Sequence, residues 1–139
     1  MGNSVYAQKI AADKVPASVT SAFNEKFPNA TKSGWEMENA NEYEASFKLN
    51  GESVSANFDN TGKWLETETE IKVSELPAAI QSKLSKDFAD FKIKEASKVE
   101  SLKNGSCFEA EIENGETTFE VQFASDGKIL SRTKQEAKE

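Results

Sequence analysis

The chain of 139 residues contains no histidine, a single cysteine (Cys107) and only three prolines. Without histidine, the commonest general base and the commonest metal ligand are both missing. A lone thiol excludes an internal disulfide, and Cys107 lacks the imidazole that would activate it as a nucleophile. No apolar run approaches the roughly 20 residues that a membrane-spanning helix needs, so no membrane insertion is expected. Bases are outnumbered, 17 against 24 acids, for a formal charge of -7. That balance opposes nucleic acid and anionic lipid as partners, and it suits solubility or a cationic partner. Nucleophile elbow, phosphate loop, dinucleotide fingerprint and zinc-ligand spacing are absent as well. Neither an enzyme nor a cofactor is expected.

What is present is a repeat. Lys14-Val15-Pro16-Ala17-Ser18-Val19 resembles Glu75-Leu76-Pro77-Ala78-Ala79-Ile80. From residue 43 to 65 the chain also matches residues 108 to 130 without a gap: Tyr43-Glu44-Ala45 with Phe108-Glu109-Ala110, and Gly62-Lys63-Trp64-Leu65 with Gly127-Lys128-Ile129-Leu130. Each copy opens with one apolar helical stripe, Val15, Val19, Phe23 and Phe27 in the first and Leu76, Ile80, Leu84 and Phe88 in the second. Pro16 and Pro77 fall in the first turn, where a missing N–H costs little, and Pro28 ends the first helix. Helices of about three turns do not persist alone, so each must pack on something.

The remainder of each copy alternates with period 2. Tyr43, Ala45, Phe47 and Leu49 oppose Glu44, Ser46 and Lys48, and Val54, Ala56 and Phe58 oppose Ser53, Ser55 and Asn57. Phe108, Ala110 and Ile112 oppose Glu109, Glu111 and Glu113, and Phe119, Val121 and Phe123 oppose Thr118, Glu120 and Gln122. This pattern predicts antiparallel strands with one buried and one wet face. Asn50-Gly51 predicts a two-residue type I′ hairpin that pairs Leu49 with Glu52. In the second copy the turn is either Asn114-Gly115 or Gly115-Glu116, and both keep the same face inside. Further strands are expected near Lys32–Met37 and Phe91–Val99, where Lys92, Lys94 and Lys98 would suit a strand that discourages edge pairing. The expected fold is α+β: two tandem α-ββββ units at 15–72 and 73–135, sharing an eight-stranded antiparallel sheet with the helices on one face. Residues 1–14 and 136–139 are expected to be tails.

Trp64 and Leu65 are adjacent, so a regular strand sends them to opposite faces. Glu66, Glu68 and Glu70 share the parity of Trp64. A three-residue turn would bury Trp64 but take Glu66 and Glu68 in with it, at a cost of several kcal/mol per unpaired carboxylate. A four-residue turn, Asp59 to Gly62, places Leu65, Thr67, Thr69 and Ile71 inside and Trp64 outside. By the same rule Leu130 comes inside in the second copy. Since a one-residue slip flips every side chain, the glutamates select the second option. The candidate contact surface is therefore the outer sheet face, with Trp64, Glu66, Glu68, Glu70, Glu44, Lys48, Glu109 and Glu111. Glu66 and Glu68 lie about 7 Å apart by strand geometry, near the spacing of a glycosidase pair, but alternate strand glutamates share that spacing everywhere. Asp59-Asn60-Thr61-Gly62 lacks the later glutamate of a calcium loop and reads as a turn.

Val15-Pro16-Ala17-Ser18-Val19, Phe27-Pro28, Trp35-Glu36, Tyr43-Glu44-Ala45-Ser46-Phe47 and Phe58-Asp59-Asn60-Thr61-Gly62-Lys63-Trp64-Leu65-Glu66-Thr67-Glu68 together resemble the PepSY-like, β-lactamase-inhibitor-like family of exported bacterial proteins. The resemblance spans about residues 15–135. It implies a periplasmic or secreted chain of tandem units with helices on one face of a shared sheet. It also fits Ser4-Val5-Tyr6-Ala7 as the end of a removed secretory signal, the alternative being an ordinary disordered tail. In the similar secreted β-lactamase inhibitor the concave sheet face grips an enzyme, which implies an envelope protein or peptide as partner here. Inhibition of a periplasmic or secreted hydrolase is the narrower alternative. The disulfides of that inhibitor have no counterpart in a chain with one cysteine.

Overall fold

Turn chemistry sets the first hairpin. Asn50 and Gly51 adopt φ 52 and 84, as a type I′ turn requires, and Leu49 pairs with Glu52, Phe47 with Val54, Ala45 with Ala56 and Tyr43 with Phe58. In the second copy Asn114 pairs with Thr117. The turn is thus Gly115-Glu116, with positive φ at Gly115 alone, as in a type II′ turn.

The computed structural model describes residues 8–135. The proposed signal remnant and the C-terminal tail lie outside this range. Strands β1 (Gln8–Ile10), β2 (Thr31–Asn39), β3 (Glu42–Leu49), β4 (Glu52–Asp59), β5 (Trp64–Ile71), β6 (Lys92–Ser101), β7 (Gly105–Asn114), β8 (Thr117–Phe123) and β9 (Ile129–Gln135) form one antiparallel sheet whose spatial order is the chain order. Helix α1 (Ala17–Lys26) precedes β2 and α2 (Ala78–Asp87) precedes β6. Each follows a short 3₁₀ turn, Ala12–Lys14 or Val73–Glu75, and has a proline at its N-cap. The sheet has nine strands rather than eight, because Gln8–Ile10, expected in a tail, pairs with β2. β6 is not an edge: it pairs with β5 and β7 on its two sides, so its lysines do not guard a free edge.

Both helices cover the same face. Val15, Val19 and Phe23 pack on Trp35, Tyr43, Ala45, Phe47, Val54, Ala56 and Phe58, and Phe23 meets Trp35 and Phe47 edge-on at 5.3 and 5.1 Å. Leu76, Ile80, Leu84 and Phe88 pack on Ala96, Ala110, Ile112, Val121 and Phe123. The predicted stripes are these contact faces. Ile71 on β5 leans into the second cluster, so the β5–β6 pairing joins the two cores as well as the two halves of the sheet.

The loop between β4 and β5 differs from expectation. Asp59 N–H bonds to Lys63 O at 2.9 Å and Phe58 pairs with Trp64, but Asn57 pairs with Glu66. Leu65 is the extra residue of a β-bulge, two residues opposing one. The turn is therefore the three-residue one, and Trp64 points inward. The bulge restores the glutamates to the outer face one residue later. Trp64 packs against the first core, donates Nε1–H to Thr67 Oγ1 at 2.8 Å, and lies 4.4 Å beneath Lys26 Nζ of α1. Thr67, Thr69 and Ile71 are inside as expected; Leu65 is not. The second copy repeats the device, with Phe123 paired to Ile129, Gln122 to Ser131, and Leu130 displaced outward at 38% exposure. The inward placement expected of Leu65 and Leu130 and the outward placement expected of Trp64 are thus reversed by one inserted residue per copy.

Gly62 adopts φ +94, and a Cβ there would meet Ser18 O of α1 at 2.5 Å. The turn is docked on the helix, as Ser18 Oγ donating to Asn60 O at 3.1 Å also shows. Gly62→Ala is expected to cost about 2 kcal/mol or more, read as a lowered urea midpoint. Gly34→Ala, where a Cβ meets nothing within 4 Å, is expected to leave the midpoint nearly unchanged.

Candidate functional site

Pairing register carries the acidic side chains of the outer face into rows. Glu36, Glu44, Asn57, Glu66 and Ser101 are directly paired across β2 to β6. Ser55, Glu68, Val99 and Cys107 form the next row. Glu70, Ser97, Glu109, Gln122 and Ser131 form a third, and Glu95, Glu111, Glu120 and Thr133 a fourth. Glu36 and Glu44, Glu95 and Glu111, and Glu111 and Glu120 are carboxyl groups directly opposite one another, an arrangement that is unfavourable when both members are ionised.

Of the predicted contact residues, Glu44, Glu66, Glu68, Glu70, Glu109 and Glu111 are brought together on this face. Trp64 is on the other. Lys48 has the right parity but donates to Ser53 Oγ, about 20 Å along β3 from Glu42 by strand rise. The face is also less wet than its charge implies. Val99 and Cys107 are buried within it, and Glu44, Glu68, Glu109 and Asn57 are buried too.

Burial and crowding hold protons on several carboxyls. Burial, with Glu38 and Glu36 adding to it, raises Glu44 to about 8. Burial and then Glu109 raise Glu120 to about 8. Glu95 rises to about 7 through burial and then a hydrogen bond shared with Glu70. Burial and Glu109 push Glu68 upward as well. The Cys107 thiol is pushed up to about 11, by burial first and then Glu66, so it is not a ready nucleophile.

A cleft of 420 Å³ opens on the face, lined by residues from β3 to β9 that include Glu42, Asn57, Leu65, Glu66, Glu120 and Leu130. In a flat sheet β3 and β9 would stand about 29 Å apart, so the sheet curves to bring both to one cleft. Amides brace the acids: Gln122 Nε2 donates to Glu109 at 3.1 Å and Gln135 Nε2 to Glu120 at 3.0 Å. Asn57 Nδ2 donates to Glu42 Oε2 at 2.6 Å. Its Oδ1 and Glu44 Oε2 are buried with no hydrogen-bond partner among the described residues. Asn57 was readable as outward, but not as a functional residue, because its burial depends on the curvature. Leu65 and Leu130 had one signal: two successive apolar residues after each turn exceed what one face of a regular strand accepts. Among the described residues no group of three or more His, Cys, Asp or Glu is arranged to hold a metal ion.

The sequence profile of a family described as "Putative beta-lactamase-inhibitor-like, PepSY-like" matches residues 4–54 and 41–131. No curated protein matches the chain. Among solved structures, a BLIP-like protein from Bacteroides fragilis is 24% identical with TM-score 0.69, covering 86% of this chain and 86% of that one. A DUF2874 family protein from Bacteroides uniformis is 22% identical with TM-score 0.73, over 86% of this chain and 88% of that one. A Bacteroides eggerthii structure described as "putative periplasmic proteins" is 20% identical with TM-score 0.73, with the same coverage. Identities this low establish a shared fold.

Because Glu44, Glu95 and Glu120 hold protons to about 8, 7 and 8, the folded chain binds protons that the unfolded chain has released. Their contribution is fully present below the unfolded value of 4.5 and is lost as pH rises through 7 to 8. The melting temperature is expected to rise on acidification from about pH 9 to about pH 5. Glu44→Gln and Glu120→Gln should each raise it by a few degrees at the alkaline end and flatten the profile, as followed by circular dichroism.

Proposed function

The chain belongs to the β-lactamase-inhibitor-like, PepSY-like family, and on that premise we propose that it is a non-enzymatic periplasmic binding module whose acidic outer sheet face takes a protein or peptide partner. The observation that carries this reading is the row Glu36–Glu44–Asn57–Glu66, in which Glu44 is buried directly opposite Glu36 and in which Asn57 and Glu66 line a curved cleft. A face kept merely soluble gains nothing from burying carboxyls or from pairing them with each other. A cationic partner would offset both costs. The periplasmic assignment is supported by the description of the similar Bacteroides eggerthii structure. The reading as a non-catalytic chain is supported by the absence of histidine and by a thiol raised rather than lowered.

A narrower reading, inhibition of a periplasmic or secreted hydrolase, is favoured by the fold shared with the BLIP-like protein. Inhibition of none of a panel of envelope hydrolases, β-lactamases included, would remove it.

Charge reversal tests the broader reading. Glu66→Lys with Glu120→Lys should abolish capture of envelope proteins or peptides that the unaltered chain retains. Glu25→Lys, on the exposed side of α1, should not. Equal capture by all three proteins would overturn the assignment of this face.

A further inference from the structure

We infer that the acidic cleft is a receptor for an arginine side chain of a partner segment, whose guanidinium meets Asn57 Oδ1 and the flanking carboxylates while its stem lies between Leu65 and Leu130. This rests on the binding reading above and specifies what the face recognises.

Asn57 supplies the first observation. It is 2% exposed and lines the cleft. Its amide orientation is set by chemistry, because Nδ2 is the atom that can donate to Glu42. Oδ1 is therefore the free end, a buried acceptor with no partner among the described residues. Such a group is unfavourable until a donor arrives. Among the described residues, Glu42, Glu66, Glu109 and Glu120 line the same cleft, and Lys103 is the base among them. Lys103 is exposed on the β6–β7 turn. A ligand that satisfies Asn57 Oδ1 must bring a donor, and the acidic lining favours one that carries positive charge.

The bulges supply the second observation. Each moves a leucine from the inner to the outer face, and both leucines line this cleft. Apolar walls beside an acidic floor do not suit a bare cation. They suit a side chain with an aliphatic stem and a cationic head. Guanidinium presents five donors in a planar fork, more than an ammonium, for acceptors that come from different strands. A cleft of 420 Å³ is also far larger than a single ion requires.

The test is titration of the full chain, followed by amide chemical shifts, with a capped heptapeptide carrying two arginines. The same peptide with citrulline, which keeps shape and loses charge, is the control, and calcium chloride alone is a third titrant. The arginine peptide should shift the Asn57 side-chain amide and the Leu65 and Leu130 backbone resonances, and weaken with added salt. Asn57→Leu should lower its affinity about tenfold. Leu130→Ser, at an exposed position where folding is not at stake, should lower it a few-fold. Equal binding of arginine and citrulline peptides, or indifference to both substitutions, would overturn the inference. Saturable calcium shifts at the cleft without arginine binding would assign it to a divalent cation and equally overturn it. Failure of the arginine peptide while Glu66→Lys with Glu120→Lys still abolishes partner capture would remove the guanidinium and leave the binding face. Failure of both would remove both.

Discussion

One inserted residue per copy, Leu65 and Leu130, is the constraint on which the rest of the sheet depends. In a regular strand the side chain after the turn dictates the face of every residue beyond it. Trp64 and Ile129 belong with the helices, whereas Glu66, Glu68 and Glu70 cannot enter an apolar core. A bulge severs the two requirements. Its cost, an unpaired peptide group, is partly recovered because Leu65 O accepts Leu102 N–H from the neighbouring turn at 2.9 Å. The inner face thereby keeps its aromatic cluster, and the outer face keeps its acids and acquires a leucine.

The parts of the fold legible in the sequence were those set by local chemistry. Asn50-Gly51 fixed a hairpin register, and the i, i+4 stripes fixed which helix faces are buried. Period-2 alternation sorted the glutamates correctly. The bulges were not legible by the same means, because parity arguments assume an unbroken strand and a bulge here requires no special residue at the inserted position. β1 was missed since three residues carry too little periodicity to stand out. Val99 and Cys107 lie beneath an acidic surface, and nothing in an alternation pattern signals a buried pair on the wet side. The cleft followed from curvature, which is a property of the whole sheet.

The electrostatics of the outer face follow from that same curvature. A flat face would let each carboxylate reach water independently. A curved one shortens the distance between strands that are far apart in sequence and removes solvent from between them. Proton affinity is then raised on Glu44, Glu68, Glu95 and Glu120, with burial as the leading cause in every case. The face is less negative near neutral pH than its composition implies, and its charge depends on what lies against it.

The spatial order of the strands, which is also their order along the chain, has a kinetic consequence. Every sheet pairing closes a loop between neighbours in sequence, the longest of them spanning α1 or α2. Chain-entropy loss on forming each contact is correspondingly small, and topologies dominated by near-neighbour pairing reach the native state quickly for all-strand architectures. Either half can zip from its own hairpin, and the β5–β6 ladder then fastens one finished half to the other.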